Sequence, residues 1–156
     1  MNRSGFTFIE LLVSVAIMLA LTGGVIVNYN TFNDQQKARQ ATLNIKNNLR
    51  LFQSHATNGE KPASDCTSLV GYEVRFAVNS YIVQARCNPQ GLIAGSDQTY
   101  LLGSGITFSP PPSTVVFKVL SRGIDTDTTI NVVGQSRSYQ FQVKRSGDMS
   151  DVTQAP

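Results

Sequence analysis

The chain has no tryptophan, only two cysteines and one histidine, and few charges, with Asp, Glu, Lys and Arg making up 15% of 156 residues. Each scarcity removes a class of function. Cys66, Cys87 and His55 do not supply the four ligands of a structural zinc site. His55 lacks a serine or cysteine partner motif, and no Gly-rich phosphate loop follows a strand. The expectation is therefore no enzyme, no cofactor and no metal. Asp125 and Asp127 are spaced like calcium ligands but lack the remaining ligands of a recognised loop, which favours a turn with solvated carboxylates. The net charge of +3 is too small to demand a nucleic-acid partner.

What the chain does have begins at its N-terminus. Arg3 and Gly5 precede an apolar run, Phe6 to Val27, whose single charged residue is Glu10. A lone charge in such a run is expensive in a bilayer and marks function. An ordinary secretory signal puts its small-residue cleavage site after the apolar core. Here the small residue, Gly5, comes first. A plain signal anchor accounts for the length, since ~20 apolar residues span a bilayer, but not for Glu10.

No proline interrupts the chain from Phe32 to Pro62. Ala38, Ala41, Ile45, Leu49, Phe52 and Ala56 recur at spacings of three and four, the stripe of a helix lying on a core. Lys37, Arg39, Gln40, Lys46, Asn47 and Arg50 fall largely off that stripe. Asn58-Gly59 and Pro62 supply the stop. Residues 6–58 are thus predicted as one helix of ~80 Å, weakest at Gly23-Gly24.

Strands follow. Tyr72, Val74, Phe76 and Val78 alternate with more polar positions, as do Tyr81, Val83, Ala85 and Cys87. A two-residue turn at Asn79-Ser80 would set Phe76 opposite Val83, Val74 opposite Ala85 and Glu73 opposite Arg86. Residues 88–114 are turn-rich, with short strands expected at Leu101-Leu102 and Ile106-Thr107-Phe108. Further strands are expected over 115–120, 129–133 and 139–143, and a polar tail over 146–156. The class is α+β, a long N-terminal helix packed on an antiparallel sheet. The expected divisions are 1–5, 6–27, 28–59, 60–145 and 146–156. Cys66 and Cys87 form an even pair, which in an exported domain favours a disulfide. The closed loop of about 22 residues is worth ~3 kcal/mol in the chain-entropy model.

The stretch Gly5-Phe6-Thr7-Phe8-Ile9-Glu10-Leu11-Leu12-Val13 resembles the processing site of a type IV prepilin or pseudopilin. The resemblance implies cleavage after Gly5 by a prepilin peptidase that also methylates the new amino group of Phe6. Glu10 becomes the fifth mature residue, the position of the family's assembly glutamate. It also implies a pilin-like fold, a single-pass inner-membrane precursor with an extracytoplasmic domain, and assembly with other pilin or pseudopilin subunits. The mature chain would be a structural subunit of a type IV pilus or of a type II secretion pseudopilus. The later strands, with Thr129-Ile130-Asn131-Val132-Val133 and Tyr139 to Gly147, resemble the H-type minor pseudopilins and their fimbrial T-type relatives. In that group the last strand often leads to Gly-Arg; here Gly147 is followed by Asp148. A major pilin is an alternative, as is a DNA-binding minor pilin for uptake. For the latter the candidate phosphate contacts are Arg122, Arg137, Lys144 and Arg145. Solvated sheet edges blocked by cations are the competing reading of those four.

Overall fold

The computed structural model describes residues 7–63, 66–121 and 123–156, and for 23–28 the backbone alone. Helix α1 runs unbroken over Phe8–Asn58, 51 residues, about 77 Å at 1.5 Å per residue. Thr7 is its N-cap, with an extended backbone and a side-chain oxygen that accepts the Glu10 N–H at 3.4 Å. Gly59 closes it in the left-handed conformation, at φ 67°. The Gly59 N–H donates to Ala56 O and the Glu60 N–H to His55 O, the paired bonds of a Schellman stop.

Only the second half of α1 carries a core. Ala38, Ile45, Leu49, Phe52 and Ala56 are buried, as their spacing predicts, and Ala41 is half-buried. Thr42 joins them at 0% exposure, its hydroxyl donating to Ala38 O at 2.8 Å. Lys46, expected off the stripe, is only 5% exposed. Its ammonium reaches Asp151, in the C-terminal segment, at 3.5 Å.

Among the described residues nine strands follow: β1 (Ser68–Phe76), β2 (Ser80–Asn88), β3 (Gly91–Leu92), β4 (Gln98–Leu101), β5 (Thr107–Phe108), β6 (Val115–Lys118), β7 (Thr128–Val133), β8 (Ser138–Val143) and β9 (Thr153–Gln154). They form two antiparallel sheets. One has the order β3-β2-β1-β6, with β4 also on β2; the other is β5-β7-β8-β9. Helix α1 packs on β1 and β6 of the first and on β7 and β8 of the second. One core joins the layers, with Leu49 and Phe52 meeting Val74, Phe117, Ile130 and Phe141. At Gly134, between β7 and β8, a Cβ would lie 2.6 Å from Ala38 Cβ. Glycine on the turn and alanine on the helix are what let the two backbones approach.

Two expectations are corrected. The β1–β2 turn is Val78-Asn79, so Phe76 faces Tyr81, Val74 faces Val83 and Glu73 faces Gln84. The Ala77 N–H donates to Ser80 O, while the carbonyls of Val78 and Asn79 accept the N–H groups of Phe108 and Leu102. These loop contacts hold the turn one residue earlier. The slip is two in pairing, so each face keeps its apolar set. Residues 146–156, expected as a polar tail, instead fold back on β8. Met149 bridges Val143, β9 pairs with Tyr139 and Gln140, and Ala155 is 9% exposed. The outer edge of β8 has backbone groups to satisfy, and this segment satisfies them.

Candidate assembly site

From Phe8 to Leu21 every large apolar side chain is 46–79% exposed. Among the described residues, nothing packs on this half of α1, and no helix is long and apolar enough to cross a membrane. The expected membrane segment, 6–27, includes Phe6 and the side chains of 23–27, which lie outside the described residues.

Polar groups within this half are handled locally. The Ser14 hydroxyl donates to Glu10 O at 2.7 Å, and the Thr22 hydroxyl donates to Met18 O at 2.7 Å. The Thr7 oxygen caps the first turn. A hydroxyl bonded back to its own helix presents little polarity outward. Glu10 differs. It sits in the first turn, where the helix dipole favours an anion. Among the described residues, no side chain partners its carboxylate. The surface is therefore apolar, internally satisfied and marked by one acidic group near its tip. Such a surface suits a medium without water.

Residues 1–26 match a family model described as the prokaryotic N-terminal methylation motif. The chain carries a prokaryotic N-terminal methylation motif. Comparison with curated proteins and with solved structures gives no match. The motif supports a pilin- or pseudopilin-like role for the chain. Gly5 and Phe6, expected as processing residues, lie outside the described residues.

The other candidate residues are spread over the globular part. Cys66 and Cys87 are joined in a disulfide with a Cα–Cα distance of 5.6 Å. It ties the loop after α1 to the end of β2, beside a small apolar cluster of Leu69, Ala85 and Ile93. Glu60 anchors the same loop. Its carboxylate meets His55 Nδ1 and accepts from Asn58 at 3.4 Å, while its carbonyl accepts the Tyr72 hydroxyl at 2.8 Å. The His55 contact, followed by that of Asn58, holds the Glu60 carboxyl below its ordinary value.

The cations considered for phosphate are not gathered. Arg122 lies outside the described residues. Arg137 precedes β8 and donates to Gln154 Oε1 at 2.5 Å. Lys144 and Arg145 follow β8. A strand separates the two groups by about 23 Å at 3.3 Å per residue. Asp125 and Asp127 already have protein partners. Lys118 Nζ lies 2.5 Å from Asp125, and the Arg145 N–H donates to Asp127 at 2.7 Å.

An inner site escaped the sequence reading. Tyr81 is 2% exposed and stacks on Tyr100 with centroids 4.9 Å apart. Its hydroxyl accepts from Asn48 Nδ2 at 2.7 Å, and burial pushes its pKa up to about 12. Asn48 belongs to the helix flank, and only the fold brings it to β2.

Proposed function

We propose that the chain is a structural subunit, a minor pilin or pseudopilin, of a type IV pilus or a type II secretion pseudopilus. Peptidase cleavage after Gly5 exposes Phe6, whose amino group is methylated. The apolar half of α1 stores the subunit as a single-pass inner-membrane protein with its sheets outside the cytoplasm. The same half then enters a filament core. There Glu10 takes the Phe6 ammonium of a neighbouring subunit, because a lone charge in an apolar core costs several kcal/mol. The observation that carries this reading is the exposed, internally satisfied helix half with its single acidic group.

One experiment tests processing and pairing together. Intact mass of membrane-extracted protein should give residues 6–156 with a methylated N-terminus. Glu10→Leu should keep or improve membrane retention and lower the fraction recovered in sheared filaments several-fold. A chain starting at Met1 or cut after Ala20 would sink the prepilin processing. Equal incorporation of Glu10→Leu and wild type, at equal membrane abundance, would remove the pairing.

A further inference from the structure

The second half of α1 has an outer ridge as regular as its buried one. Gln36, Gln40, Asn44, Asn47, Leu51 and Ser54 are all exposed and follow one another at steps of three and four. Asn33 and Asn58 extend the ridge at its two ends. Eight successive ridge positions therefore carry no charge, on a helix segment that holds Asp34, Lys37, Arg39, Lys46 and Arg50 elsewhere. Leu51, 49% exposed, is the one large apolar side chain among them. A solvated face of this length ordinarily mixes charges of both signs. Steps of three and four are those of a helix seam, which meets a second helix nearly parallel to it.

Three observations define the occupant. The ridge continues the line of the apolar half, so a helix lying on one can run onto the other without turning. The stretch from Asn33 to Asn44 is one wall of an open groove whose other wall is Gly103, Ser104 and Ile106. A helix seated there would have a side wall as well as a facing ridge. The exposed cations along the ridge are Lys37, Arg39 and Arg50; of the flanking acids, Asp34 is already 3.6 Å from Lys37, and Glu60, beyond the last turn, already meets His55 and Asn58. Flanking charges in helix pairs set partner choice. Two copies of this chain, held parallel by a shared membrane, would bring basic flank to basic flank. Amides desolvate at less cost than charges and both donate and accept, so they fit another uncharged ridge.

We propose that this ridge seats the parallel helix of a different prepilin-type subunit, one with an uncharged facing ridge and acidic flanks, in preference to a second copy of this chain. The inference rests on the membrane-stored state proposed above. It places partner choice in the water-exposed half of α1, leaving Glu10 to set register in the apolar half.

The partner is replaced in the test by a copy of this chain carrying Lys37→Glu, Arg39→Glu and Arg50→Glu. Both copies also carry Asn47→Cys, with different tags. They are co-expressed in a bacterial inner membrane, and disulfide crosslinks between tags are counted after mild oxidation. The wild-type-flank and reversed-flank pair should crosslink roughly tenfold more than two wild-type-flank copies, from several flank pairs of a few tenths of a kcal/mol each. The excess should shrink toward one at about 1 M salt, where the Debye length is ~3 Å. Moving the cysteine to Gln98, exposed on β4, should abolish it. Equal crosslinking of like and unlike pairs, or crosslinks from Gln98→Cys as strong as from Asn47→Cys, would overturn the proposal. Alkaline extraction of the same membranes scores insertion independently. Inserted chains without the charge-dependent excess refute the ridge alone, and chains extracted as soluble protein refute the membrane-stored state as well.

Discussion

The two halves of α1 obey opposite rules within one unbroken helix. Over Phe8–Leu21 the large apolar side chains face outward on all sides and touch no other element among the described residues. Over Ala38–Ala56 the apolar side chains, Leu43 and Leu51 apart, keep to one stripe and pack into a core built with two sheets. Helicity is therefore no guide to solvation. What differs is pattern. Apolar residues all round a helix require an apolar medium or a bundle of partners, whereas a stripe requires one facing surface. The first half is incomplete without other molecules, and the second completes itself.

The largest effect expected from this contrast is at Leu49, which is 0% exposed. Leu49→Ala should cost 2–5 kcal/mol, about the usual price of a buried leucine, in urea unfolding of the full chain in detergent. Leu12→Ala, at a position 50% exposed, should leave that midpoint unchanged and weaken membrane retention instead. Equal losses of fold stability at the two sites would erase the distinction between the halves.

Next in size is the disulfide. It lies wholly in the self-completing part and closes a loop across 21 positions. Cys66→Ser with Cys87→Ser should lower stability by about 3 kcal/mol, read from the same unfolding transition. Membrane retention, a property of the other half, should not move. Two freely alkylated cysteines in exported wild-type protein would show that the bridge does not form.

A third effect is confined to alkaline pH. Tyr81 has a folded-state pKa of about 12 against an ordinary 10.0, with burial as the chief cause. Being raised, it contributes stability that is fully present below pH 10. That contribution is lost as pH climbs through about 12, because the unfolded chain gives up the proton first. Tyr81→Phe should flatten the fall in stability between pH 10 and 12. A fall of the same steepness in the variant would assign alkaline unfolding to other groups.

Sequence reading succeeded where the responsible physics is local. The spacing from Ala38 to Ala56 marked the buried face, Gly59 marked the stop, and alternation in Tyr81, Val83, Ala85 and Cys87 marked the inner face of β2. It failed where a distant segment decides. The turn at Val78-Asn79 is held by Leu102 and Phe108, which no property of the hairpin announces. Lys46 is paired with Asp151, more than 100 residues later in the chain. The C-terminal segment, 146–156, has few apolar residues; it pairs with the open edge of β8 and tucks Met149, Val152 and Ala155 inward. At the candidate assembly site the motif itself was readable, since Gly5, Phe6 and Glu10 fall within six successive residues. The bonds of Ser14 and Thr22 to their own helix were not, because a hydroxyl in sequence does not declare its rotamer.

Those hydroxyls allow the sharpest comparison at the smallest expected effect. Thr22 and Thr42 make the same bond, each donating to the carbonyl four residues earlier, at 2.7 and 2.8 Å. One lies in the exposed apolar half and the other at 0% exposure in the core. Valine replaces threonine with nearly the same shape, so neither change opens a cavity. At position 42 the Ala38 carbonyl keeps its helical N–H partner, and no buried group is orphaned. Thr42→Val should therefore shift stability by less than about 1 kcal/mol in either direction. Thr22→Val should leave the unfolding midpoint untouched and slightly increase resistance to alkaline extraction, because it removes the last polar atom from its stretch of helix. If Thr42→Val instead cost as much as Leu49→Ala, the Thr42 hydroxyl would be holding the helix to the core through something beyond its bond to Ala38. If Thr22→Val weakened retention, the Thr22 hydroxyl would be turned toward a partner in the membrane rather than back to Met18. The two halves of α1 would then differ less than their burial indicates.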